Sequence, residues 1–103
     1  MTWPFVDKSV DQRTWGFYEV LFKSDKYKFR KVIIYLGQKL FEAERVLSEQ
    51  ERVFLVQQGY GALRLFKSSK DIRAGDTFVI GEKTDFNIQA TDATLVLYEI
   101  VTA

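Results

Sequence analysis

Trp15 to Lys23 (WGFYEVLFK) and Tyr27 to Leu36 (YKFRKVIIYL) are joined by Ser24-Asp25-Lys26. Both runs are rich in β-branched and aromatic residues, and a short polar link between two such runs is the signature of a β-hairpin. The pattern continues outward. Gln38 to Ala43 reads as a weaker strand after Gly37, Arg52 to Gln57 (RVFLVQ) runs into Gly59, and Tyr60 to Lys67 (YGALRLFK) follows. Lys67-Ser68-Ser69-Lys70 and Ala74-Gly75-Asp76 are expected turns, the second leading into a strand at Thr77 to Ile80. Thr84 to Ala90 and Ala93 to Val101 (ATLVLYEIV) are the last two strands. With a two-residue period, Leu95, Leu97 and Glu99 point one way and Val96, Tyr98 and Ile100 the other. Both faces are largely apolar, as expected between two sheets or at a subunit contact.

Many short strands with regular turn signals predict an all-β sandwich or barrel. The one helical candidate is Glu42 to Glu51 (EAERVLSEQE), where Ala43, Val46, Leu47 and Gln50 would share a face. A single helical turn or an acidic loop is the expectation there. At 103 residues, 47% hydrophobic and 16% aromatic, the chain is expected to be one packed domain.

The absences bound the chemistry. There is no histidine and no cysteine. Histidine-based zinc, copper and iron sites, Ser-His and Cys nucleophiles, and disulfides are therefore set aside. Fifteen Lys and Arg against fourteen Asp and Glu give a net charge of +1, which provides no footprint for nucleic acid or an anionic membrane. No apolar run is long enough to span a bilayer, and Met1 to Phe5 has no signal-peptide pattern. A soluble, cytoplasmic protein is the expectation.

From Arg13 onward the sequence resembles the small cupin domain of type II phosphomannose isomerases and mannose-1-phosphate guanylyltransferases. Arg13-Thr14-Trp15-Gly16-Phe17-Tyr18-Glu19-Val20-Leu21 is similar to that family's entry strand, and Tyr27 to Val32 to the next one. Gly37-Gln38-Lys39-Leu40 resembles its glycine turn, Gly75 to Ile80 its second-motif strand, and Leu95 to Ile100 its closing strand. The resemblance implies an all-β cupin, a double-stranded β-helix or jelly roll. Residues 13–103 would form the barrel, and residues 1–12 an N-terminal segment docked on it or on a partner subunit.

The resemblance also implies a metal held by two histidines and a glutamate from one motif and a histidine from the other. In this chain the first two positions fall among Arg45, Leu47 and Glu49, the glutamate position is Arg52, and the last histidine position is Phe86. The expectation is therefore a degenerate cupin with no metal and no cofactor, its cavity closed or holding a small, carbohydrate-like molecule. An oxygen-only site at Glu42, Glu44, Glu49 and Glu51 is weighed against a solvated acidic loop, which is preferred. A metal-independent sugar isomerase or epimerase would need Glu19, Tyr18, Tyr60 or Tyr98 as its base. The third alternative is a structural oligomerisation subunit.

The candidate ligand-binding residues are Arg52, Arg64, Tyr60, Phe86 and Trp15. Arg52 with Arg64 nearby would suit a carboxylate or phosphate, although pairing of Arg52 with Glu49 or Glu51 is preferred. Phe86 is expected to fill the former metal cavity. Trp15, with Trp3, Phe17 and Tyr18, could form a sugar-stacking platform or simply belong to core and interface. The apolar content beyond what one small barrel buries, with Trp3 and Phe5 in the N-terminal segment, predicts a homodimer.

Overall fold

The structure, a computed structural model, describes residues 9–40 and 50–102. Ten strands make up the described chain: β1 (Ser9–Arg13), β2 (Gly16–Lys23), β3 (Tyr27–Ile34), β4 (Lys39–Leu40), β5 (Arg52–Gln58), β6 (Tyr60–Leu65), β7 (Ser68–Arg73), β8 (Thr77–Ile80), β9 (Phe86–Ala90) and β10 (Leu95–Thr102). They form a six-stranded sheet in the order β1-β2-β3-β10-β5-β8 and a four-stranded sheet in the order β4-β9-β6-β7. Every pairing is antiparallel. The two sheets close on one another through a single core, giving the all-β jelly-roll architecture expected from the strand pattern.

The expected hairpin is β2–β3, closed by Ser24 to Lys26. Its Ser24 Oγ accepts hydrogen bonds from the Lys26 and Tyr27 amides at 3.1 and 3.2 Å. At the other end, Gly16 lies so close to β3 that an added Cβ would stand 1.9 Å from the Ile33 carbonyl oxygen. The glycine of the Trp-Gly pair thus lets β2 and β3 meet where the sheet enters the core. The Ala74 to Asp76 turn is also as expected. Gly75 takes a φ of 98°, and Asp76 Oδ2 accepts a hydrogen bond from the Arg73 amide.

Two expectations need correction. The turn placed at Lys67 to Lys70 is instead the two-residue connection Phe66-Lys67, and Ser68 already pairs with Leu65. Phe66 takes the left-handed conformation, with a φ of 52°, that glycine usually supplies in such hairpins. The barrel also begins before Arg13, because Ser9 to Arg13 pairs with β2 as an edge strand. Glu42 to Glu49 of the helical candidate, together with Trp3 and Phe5, lies outside the described residues.

Strand alternation sorts the side chains. On β10, Leu95, Leu97, Glu99 and Val101 are buried, and on β5 so are Arg52, Phe54 and Val56. From the small sheet, Leu63, Ile72, Phe86 and Ile88 meet them. One end of the interior is aromatic and aliphatic around Trp15, Ile34 and Leu95; the other carries charge.

Candidate functional site

Glu99 is fully buried on the inner face of β10, and Arg30 lies directly opposite it on β3. Arg30 Nε donates to Glu99 Oε1 at 2.6 Å, and Nη2 meets the same oxygen. From the other side of β10, Arg52 Nη1 stands 3.7 Å from Glu99 Oε2. The Arg30 guanidinium in turn covers the Tyr18 ring at 3.7 Å from its centroid, and Trp15 meets that ring edge-on at 5.1 Å. A carboxylate removed from water is costly unless paired, and here two strands bring guanidinium groups to it.

Lys28 shares the inner row with Val101 and Arg52. Burial holds its ammonium below the ordinary lysine value, and the neighbouring Arg30 and Lys23 charges push it further down. Arg52 thus forms an ion pair with Glu99, a partner that strand phase supplies and that the sequence reading, which named Glu49 or Glu51, did not foresee. The signal was present in the sequence: a glutamate in step with two buried leucines.

Phe86 lies inside the barrel as expected. Its ring meets Phe54 at 6.0 Å, Phe54 stacks on Phe78 at 5.1 Å, and the Arg52 guanidinium lies 5.5 Å from the Phe86 centroid. The positions that the cupin resemblance assigns to a ligand glutamate and a ligand histidine are therefore neighbours in the interior. A metal of the kind that resemblance implies does not fit them, since a guanidinium and a phenyl ring have no donor lone pair to give. Among the described residues no cluster of three or more Asp, Glu, His or Cys could hold an ion. Arg45, Leu47 and Glu49 lie outside the described residues.

The remaining candidates are not brought together. Trp15 is only 4% exposed and belongs to the core, so it offers no stacking platform. Arg64 was expected beside Arg52. Instead, β6 turns Gly61 and Leu63 inward and leaves Arg64 on the outer face of the small sheet. Tyr60, also on the outside, borders a depression of about 370 Å³ with Asp71, Ile72, Arg73 and Asp76. Arg64 lines a second hollow of about 160 Å³ with Phe66, Asp85, Phe86 and Asn87. Phe86 therefore touches Arg52 within the barrel and contributes to an external pocket. Sequence reading missed Phe66, Asp85 and Asn87, because only the hairpin and strand register place them beside Arg64.

No protein-family model matches this chain, and no curated protein does. Solved structures do. An RmlC-like cupin from Shewanella frigidimarina superposes with a TM-score of 0.80 at 14% identity, over 98% of this chain and 91% of that one. KdgF from Halomonas gives 0.78 at 15% identity, over 94% and 87% of the two chains. A cupin-2 domain protein from Rhodospirillum rubrum gives 0.79 at 17%, over 100% and 73%. The fold is the cupin double-stranded β-helix. Likeness at this level of identity carries the fold and nothing of the activity.

Proposed function

We propose that this chain is a non-catalytic cupin whose interior is occupied by its own side chains and which binds a small, carbohydrate-like molecule at the pocket beside Phe86. The observation that carries the reading is the contact between Arg52 and Phe86, which replaces donors with a guanidinium and a phenyl ring at the resemblance's ligand positions. The departures from the phosphomannose isomerase pattern support a protein that kept the barrel and lost the metal chemistry.

The external pocket suits such a ligand. Phe66 is 85% exposed at the hairpin tip, with the Lys67 ammonium 5.7 Å from its ring centroid, and presents an aromatic surface of the type that packs on sugar C–H groups. Arg64, Asp85 and Asn87 add planar hydrogen-bonding groups around it. At about 160 Å³ the hollow is below the roughly 300 Å³ of a drug-sized site, and so fits one ring rather than a chain. The metal-independent isomerase is less well supported. Tyr18 lies under Arg30, while Glu19 and Tyr98 occupy the outer face of the large sheet and Tyr60 that of the small one. These four form no constellation about a common point. A cysteine-free chain suits a reducing compartment, and the cytoplasm is the location we assign.

The test is an amide-resolved NMR titration with glucose, mannose, glucuronate and mannose 6-phosphate in turn. Saturable shifts confined to Arg64, Phe66, Asp85 and Asn87 are expected with at least one of them. Shifts at Arg30, Arg52 and Glu99 instead would move the site into the barrel. No saturable shift with any would remove the carbohydrate reading.

A further inference from the structure

We propose that the outer face of the six-stranded sheet is the contact surface between two copies of this chain, related by a two-fold axis. The two-residue period places Val96, Tyr98 and Ile100 of β10 on this face, with Phe29 and Ile33 of β3 on one side and Val53 and Leu55 of β5 on the other. At its centre is an apolar groove of about 160 Å³ lined by Phe29, Val53, Leu55, Tyr98 and Ile100. Leu55 and Ile100, which line it, remain 41% and 42% exposed, and Val79 beyond them 57%.

Three features point to a second copy as the occupant. First, the face carries both a groove and protruding aliphatic side chains, and a two-fold contact requires a single patch to supply both. Second, its charge is balanced. Glu19 and Lys31 sit opposite each other in register, and the whole chain carries only +1, so two copies approach without repulsion. A strongly charged partner would find no rim of one sign here. Third, the face is broad. Five strands at about 4.8 Å spacing, β2 to β8, and three side-chain rows give a flat footprint on the order of 400 Å². This is about half of the roughly 800 Å² of accessible surface per partner in a standard interface, so the pair is expected to be concentration-dependent.

The test is sedimentation equilibrium of the untagged full chain from micromolar to millimolar concentration, alongside Leu55→Lys, Ile100→Lys and Phe66→Ser. The expected result is a mass that rises with concentration to twice the 12.0 kDa chain mass for the wild type and Phe66→Ser, and the single-chain mass for both lysine variants. A wild-type protein that stays at 12.0 kDa throughout overturns the proposal and leaves the face to a different partner. A lysine variant that folds, by its circular dichroism, and still pairs overturns this face as the contact. Should both lysine variants fail to fold, an NMR dilution series of the wild type decides. Concentration-dependent shifts at Tyr98, Ile100 and Leu55 support the contact, and shifts elsewhere or none overturn it.

Discussion

Arg30 and Glu99 occupy directly paired positions of β3 and β10 and join them through a charged hydrogen bond inside the barrel. The carboxylate has no exposed surface, and Arg52 approaches it from β5 on the other side. Three adjacent strands of the large sheet are thereby tied in one register at the end of the interior where Phe86 also lies.

Removing one partner from such a pair leaves a charge in a poorly hydrated place. Glu99→Gln is expected to destabilise the fold by about 3–5 kcal/mol in urea denaturation. An Arg30→Met, Glu99→Leu double variant should lose less than the two single changes add up to. Strict additivity would mean that the two groups do not interact.

Phe86→Ala should cost about 3–5 kcal/mol, because the ring packs on Phe54 and beneath it lies the Arg52 guanidinium. Phe86→His should also lose stability, and its melting temperature should not respond to zinc or to chelator, since one imidazole beside an arginine makes no site. A loss below about 1 kcal/mol for the alanine variant would place the ring outside the structural core.

The hairpin, the two-faced last strand and the Gly75 turn were legible because apolar periodicity and turn chemistry agree there. β1 and β7 were not. Ser9 to Arg13 and Ser68 to Arg73 are edge strands whose residues are mostly polar and exposed, so burial leaves little alternation to read. Ser68 and Ser69 imitate a turn, while the real turn uses Phe66, a residue that seldom takes positive φ. The cupin resemblance put Phe86 in the former metal cavity, and it left Arg52 paired with Glu49 or Glu51 or beside the cavity. The separation of Arg64 from Arg52 required the register of β6, and the Glu99 partnership required knowing which strands flank β10.

Lys28 gives a pH test with a definite sign. Burial lowers its folded-state value below the ordinary 10.5, so the folded state disfavours the charged ammonium relative to the unfolded chain. That penalty is fully present at neutral pH and fades as the pH rises through the lowered value toward 10.5. Lys28→Met should therefore melt higher than wild type at pH 7, with the difference shrinking in alkaline buffer. A difference that grows with pH would contradict the assignment.

Gly16→Ala should be among the most damaging single changes, since its Cβ would stand 1.9 Å from the Ile33 carbonyl oxygen and only backbone movement could relieve the overlap. A loss of more than about 4 kcal/mol, or failure to fold, is expected in denaturant titration. A near-native midpoint would mean that β2 and β3 separate readily at this end.

The claim that the chain kept the cupin barrel without its metal chemistry is tested most directly by elemental analysis of untagged protein purified from metal-supplemented cells and dialysed. Only traces of zinc, iron, nickel and manganese, well below one atom per chain, are expected, because Arg52 and Phe86 supply no donors. About one equivalent of any of these metals retained through dialysis would contradict the account.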